Sequence, residues 1–212
     1  MDFTTAIFDL DGTLIDSIHV WEKVDIKWLS MHNIKPERHL LNRFKVMNFD
    51  EAVSFVQEEL GVKETAEYII DTWSSMVKNE YAHNIPLKKG ARELLTKYKN
   101  EGKRIALATS CVRECCESVL ANNKIRDYFE EIVYTTDIGR SKSYPDVYLK
   151  CAHLLGSDPS DCVAFEDIYL AIAGVRAAGM RFVGVYDPMS SIGWDDMIKE
   201  ADLCVKSLEE LL

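Results

Sequence analysis

Apolar residues follow two different rhythms along this chain. Beyond residue 85, short apolar runs recur at Arg104 to Thr109, Glu131 to Thr135, Cys162 to Phe165 and Arg181 to Tyr186. Each reads as a strand, and their alternation with amphipathic segments predicts a parallel sheet with crossover helices. Lys88 to Glu101 puts Leu94, Leu95 and Tyr98 on one face and stops at Gly102. Pro145 to Leu155 carries proline in its first turn and Gly156 just past its end, the usual punctuation of a helix. Ile168 to Ala178, rich in Ala and Gly and closed by Gly179, predicts a helix packed close to the sheet. The same layout continues through Trp194 to Lys199 and Leu203 to Leu212.

Residues 17–84 show the helical period without a clear strand. Val20, Trp21, Val24, Trp28 and Met31 recur at helical spacing, as do Ala52, Val53, Val56 and Leu60, then Tyr68, Ile69, Trp73 and Val77. The expectation is an α/β core, residues 1–16 and 85–212, interrupted by an all-helical insert over 17–84.

Composition narrows the function classes. The 212 residues are 47% hydrophobic, enough to bury a core. Thirty-five acidic against 25 basic residues give a net charge of −10, spread along the chain. That charge repels nucleic acid and anionic membrane, so neither is an expected partner. No apolar stretch approaches the ~20 residues needed to span a bilayer. Asp2 and Asp9 spoil a secretory signal, so the expected compartment is the cytoplasm. Six cysteines lack C-x-x-C spacing and are expected as thiols; Cys162 and Cys204 read as core residues of strands. Cys111, Cys115 and Cys116 follow a strand end, where helix packing competes with a reactive role. The five histidines form no zinc-ligand pattern. Oligomeric state leaves no readable signature, and a monomer is the default.

Candidate chemistry sits at strand ends. Thr5-Ala-Ile-Phe-Asp9-Leu-Asp11-Gly-Thr13 sets two carboxylates at i and i+2 directly after a short apolar run, where Gly12 breaks the strand. Open α/β sheets bind ligands at this edge. Two such close carboxylates imply a shared cation or a shared proton, and Mg²⁺ is the natural cation for hard oxygen ligands. An EF-hand is excluded, because its obligatory sixth-position glycine falls on Leu14. Thr109 and Ser110 place hydroxyls at the end of the second core strand, ahead of a helix start that suits an anion; taken alone, Ser110 reads first as a plain helix cap. Lys142 precedes the helix-starting Pro145, and Glu166 and Asp167 end the strand that begins at Cys162. A cation site and an anion site therefore open at one sheet edge.

Taken in this order, these residues resemble the haloacid dehalogenase superfamily, in its phosphatase and β-phosphoglucomutase-like branch with a helical cap. The resemblance spans essentially the whole chain and implies a Rossmann-like core. By that similarity Asp9 is the nucleophile that becomes an aspartyl phosphate and Asp11 the general acid and base. Thr109, with Ser110 beside it, and Lys142 hold phosphoryl oxygens. Asp9, the Asp11 backbone carbonyl and Asp167 bind Mg²⁺, with Glu166 as an orienting group behind the metal or a direct ligand in place of Asp167. The pattern departs at Lys142-Ser143-Tyr144-Pro145-Asp146, where Lys-Pro-x-Pro-Asp is common, and at Ile168 and Ala171, where Ser and Gly are usual.

The same resemblance assigns substrate choice to the cap. A sugar phosphomutase of this branch offers a His soon after the two aspartates and a Gly-x-Ser-Arg turn; here Trp21 and Val46 to Phe49 stand at those places, which argues against a mutase. Arg43, Lys45 and Asn48, in a predicted turn, are candidate substrate contacts or a solvated loop. Trp21 either walls the substrate pocket or joins the core. The expected activity is Mg²⁺-dependent hydrolysis of a small phosphorylated metabolite. A sugar phosphomutase and a non-catalytic metabolite-binding module are the alternatives.

Overall fold

Thr5–Phe8 is buried at every position, as expected of a strand covered on both faces. A computed structural model of the protein describes residues 2–44 and 49–212. In chain order its elements are β1 (Thr5–Phe8), α1 (Ile18–Met31), α2 (Arg38–Phe44), α3 (Phe49–Glu58), α4 (Ala66–His83), α5 (Ala91–Asn100), β2 (Arg104–Thr109), α6 (Arg113–Asn122), β3 (Glu131–Tyr134), α7 (Thr135–Ile138), α8 (Asp146–Leu155), β4 (Cys162–Glu166), α9 (Ala171–Ala177), β5 (Arg181–Val185), α10 (Trp194–Glu200) and β6 (Leu203–Val205). The chain divides into two compact units, residues 1–17 with 85–212, and residues 18–84.

The larger unit holds a six-stranded parallel sheet in the order β3-β2-β1-β4-β5-β6. The chain runs outward from β1 to β3, then returns to the other side of β1 for β4 to β6. The strand order therefore reverses at β1, and a crevice opens outside the carboxyl ends of β1 and its neighbours. Phe8 is aligned with Leu107 on one side and Phe165 on the other, which brings the ends of β1, β2 and β4 level.

Alternation of side chains across the strands feeds two cores. On one face Ile7, Ala106, Ala108 and Ala164 pack with Val147, Tyr148, Cys151 and Leu155 of α8 and with Val175 of α9. Alanines on the central strands let these helices lie close. On the other face Phe8 stacks on Phe165 with ring centroids 4.4 Å apart, and Tyr98 of α5 meets Phe3 edge-on at 5.3 Å. Burying each such Leu, Val or Phe contributes about 1.5–3 kcal/mol.

Several helices start later than the periodicity predicts. α5 begins at Ala91 behind Gly90, whose φ of 80° stops the helix from extending backward, so Lys88 lies in a loop. α9 begins at Ala171, which leaves Ile168 to Leu170 as loop. Thr135 opens α7 rather than closing β3, and the final segment is β6 followed by a short 3₁₀ turn, Leu208–Leu211.

The second unit contains α1 to α4 and no strand among the described residues. α1 buries Val20, Val24, Trp28 and Leu29, and α4 buries Ile69, Trp73, Val77 and Tyr81. Trp28 and Trp73 meet at 5.0 Å. Trp21, Met31 and Tyr68, read as members of these stripes, are exposed instead. Trp21 lies about 100° around the helix from Val20, Met31 is the last residue of α1, and Tyr68 sits one step off the i, i+4 line of α4. Leu60 falls beyond the end of α3. Among the described residues no helix is long and apolar enough to cross a membrane.

Candidate active site

The backbone N–H of Asp9 donates to the Phe165 carbonyl at 2.9 Å, so the ladder continues one residue past β1 and carries Asp9 to the sheet edge. The chain then turns sharply. Gly12, at φ 80°, donates to the Ile15 carbonyl at 3.0 Å, and Leu14 to that of Leu10 at 2.9 Å. This turn separates Asp11 from Asp9. The Asp11 carboxylate accepts from the Ser17 hydroxyl at 2.6 Å, while Asp9 faces the neighbouring strand end.

Opposite Asp9 stands Lys142. Its loop is pressed against α9 at Gly174, where an added Cβ would lie 2.1 Å from the Lys142 carbonyl oxygen and 2.7 Å from that of Tyr144. Held there, the Lys142 Nζ donates to Asp9 Oδ1 and lies 3.0 Å from Glu166 Oε1. The Tyr148 hydroxyl donates to the same Glu166 oxygen at 2.8 Å. Asp167 is fixed by two hydroxyls, Ser190 donating to Oδ2 and Thr13 to Oδ1 at 3.4 Å.

Asp9, Glu166 and Asp167 thereby form a buried group of three carboxylates with ligand atoms all within 4.8 Å of one another. Burial is the largest influence on Glu166 and Asp167, and it raises both carboxyls above the usual range. The Asp9 charge adds to that rise, and Lys142 opposes it. Burial also works against the Lys142 ammonium, but Asp9 and Glu166 outweigh it and lift its pKa above the ordinary value. Three carboxylates against one ammonium leave excess negative charge in a site short of water. Glu166 Oε2 is buried there with no hydrogen-bond partner among the described residues. An orphaned carboxylate oxygen in an all-oxygen donor set fits a hard divalent cation.

The structure thus brings Asp9, Lys142, Glu166 and Asp167 together. It places the Asp11 side chain outside the three-carboxylate group. Thr109, fully buried at the end of β2, accepts from the Cys111 N–H at 3.0 Å, which leaves its hydroxyl proton free to donate. Ser110 is not a helix cap: α6 begins at Arg113 behind Val112, and the exposed Ser110 accepts from the Thr135 hydroxyl at 3.1 Å.

The placement of Arg43 differs from expectation as well. It lies in the last turn of α2 rather than in a turn, and its guanidinium pairs with both Glu59 oxygens at 2.6 and 2.7 Å while covering the Phe55 ring at 3.9 Å. Lys45 and Asn48, with Val46 and Met47, lie outside the described residues. Cys115 and Cys116 are buried in α6, and burial pushes the Cys116 thiol up to about 12, a packing role. Sequence reasoning overlooked Thr13, Ser17, Tyr148 and Ser190, and also a buried pair between Lys88 and Asp187 at 3.0 Å. Asp187 had a signal, since it is another acidic residue directly beyond a strand end. The hydroxyls had none, because a serine in a loop looks the same whether or not it holds a carboxylate.

A family model described as haloacid dehalogenase-like hydrolase matches residues 6–185. Hexitol phosphatase B of Escherichia coli (strain K12) is 31% identical, over 97% of this chain and 93% of its own length. The β-phosphoglucomutase of Bacillus subtilis (strain 168) is 28% identical, with the same coverage of 97% and 93%. Among solved structures, a putative β-phosphoglucomutase from Thermotoga maritima superposes with a TM-score of 0.88 at 23% identity, covering all of this chain and 97% of that one.

Proposed function

Because this chain belongs to the haloacid dehalogenase-like hydrolases, we propose that it is a Mg²⁺-dependent phosphatase that hydrolyses a small phosphomonoester through an aspartyl phosphate on Asp9. The observation that carries the reading is the buried cluster of Asp9, Glu166 and Asp167 with Lys142 on two of its members.

Phosphoryl transfer needs positioning and charge neutralisation more than covalent assistance. Asp9, Asp167, the Asp11 backbone carbonyl and the orphaned Glu166 oxygen are the groups that would hold Mg²⁺. When bound, the ion supplies the positive charge that offsets a transferring phosphoryl group. Lys142, kept protonated by Asp9 and Glu166, adds a second fixed positive charge beside the Asp9 nucleophile. The Thr109 hydroxyl is oriented by its bond from Cys111 to donate to a phosphoryl oxygen. Asp11, steadied by Ser17, protonates the leaving alkoxide and then takes a proton from the water that attacks the aspartyl phosphate.

Similarity to a β-phosphoglucomutase keeps a phosphomutase as the second reading. It differs in the acceptor of the phosphoryl group, and it predicts activation by a bisphosphorylated sugar. Asp9→Asn tests both: turnover of any accepted phosphate ester falls by on the order of 10³-fold or more, because the substituted amide is not a nucleophile. An Asp9→Asn protein that keeps wild-type turnover contradicts the covalent route.

A further inference from the structure

Lys88 stands apart from the carboxylate cluster, yet its ammonium is spent entirely on structure. Its Nζ donates to the Gly12 carbonyl at 2.5 Å, to the Tyr186 carbonyl at 2.8 Å and to Asp187 Oδ2 at 3.0 Å. An ammonium has three donors, and all three are used. Asp187 is 3% exposed and the Lys88 side chain 16%, so the pair is shielded from water.

Followed outward, these bonds close a ring. Asp187 Oδ1 accepts from the Met189 N–H at 2.8 Å, which fixes the turn that places Ser190. Ser190 donates to Asp167 Oδ2. Thr13 donates to the other Asp167 oxygen at 3.4 Å, and Thr13 follows Gly12, whose carbonyl Lys88 holds. The ring joins the loop after β1, which carries Asp9 and Asp11, to the loop after β5. It meets the site at one carboxylate, Asp167.

We propose that Lys88, through its ion pair with Asp187, is a positioning residue that sets the Asp11–Thr13 turn and Asp167 in register for metal binding and phosphoryl transfer. The inference rests on the phosphatase reading above. A single lysine that ties two loops by three bonds can couple them, because releasing it frees both ends of the ring together. Ser190 acts on one arm only, so it separates metal positioning from positioning of the turn.

The test uses the full chain and three variants, Lys88→Met, Ser190→Ala and the double variant Lys88→Met with Asp187→Asn. The double variant leaves no unpaired buried charge, so it keeps the protein folded where the single lysine change destabilises it. Mg²⁺ affinity is read by calorimetry, and kcat and KM by phosphate release. The expected result is a loss of at least tenfold in Mg²⁺ affinity and in kcat for the double variant, with KM changed less. Ser190→Ala is expected to weaken Mg²⁺ binding several-fold with a smaller loss in kcat at saturating Mg²⁺. A folded double variant with wild-type Mg²⁺ affinity and kcat overturns the inference. A wild-type chain that neither binds Mg²⁺ nor releases phosphate overturns the phosphatase reading and this inference with it, whereas wild-type activity with an unaffected double variant overturns this inference alone.

Discussion

At the residue scale, the site is held by unequal charges in a volume with little water. Lys142 contacts two of three buried carboxylates, and Glu166 Oε2 is left without a partner among the described residues. Asp25 of α1 shows burial acting with no positive partner among the described residues. Burial, with a smaller push from Glu22, raises its carboxyl to about 7. The folded pKa lies above the unfolded value of about 3.9. Its contribution to stability is therefore fully present below about pH 4 and is lost as pH rises through about 7. Asp25→Asn is expected to melt higher than wild type at pH 8 and to show no gain at pH 4, as read by thermal unfolding at the two pH values. An equal gain at both would contradict the burial account. The charged groups were legible in the sequence, because Asp9, Glu166 and Asp167 follow or end an apolar run and Lys142 precedes the helix-starting Pro145. Their hydroxyl supports and the Lys88–Asp187 pair were not, because their partners lie anywhere from 6 to 154 residues away along the chain and no fixed spacing marks them.

At the scale of elements, α9 fixes Lys142 through the absence of a side chain. Gly174 faces the Lys142 and Tyr144 carbonyls so closely that any Cβ meets backbone. Gly174→Ala is expected to push the Lys142 loop away from Asp9. Overpacking of this kind costs about 1–3 kcal/mol. The melting temperature should drop by several degrees and kcat by more than about tenfold, in proportion to the displaced ammonium charge. Unchanged kinetics in a folded Gly174→Ala protein would show that the loop yields without cost. Strand positions β2, β4 and β5 followed from apolar runs to within one residue, because a buried parallel strand has few ways to be written. Helix starts did not, since Gly90 at φ 80° delays the start of α5 although the expected helix begins at Lys88. The stripes of α1 and α4 were legible as helices, but the burial of Trp21, Met31 and Tyr68 was not. Periodicity gives a face, and its width depends on what packs against it.

At the scale of the whole molecule, one topological fact gathers the site. The strand order reverses at β1, so the ends of β1, β2 and β4 lie level and bring Asp9, Thr109 and Glu166 to one edge. The net charge of −10 works against binding an anionic substrate, and the local ammonium and a divalent cation would have to overcome it. On the reading proposed above, phosphate chemistry here would therefore require Mg²⁺ in the carboxylate cluster. The most direct measurement is release of inorganic phosphate from a panel of sugar, nucleotide and aryl phosphates, with Mg²⁺ and with EDTA. The account predicts release with Mg²⁺, loss of it in EDTA and its return when Mg²⁺ is restored. Release that persists in EDTA, or no release from any ester with Mg²⁺ present, would contradict it.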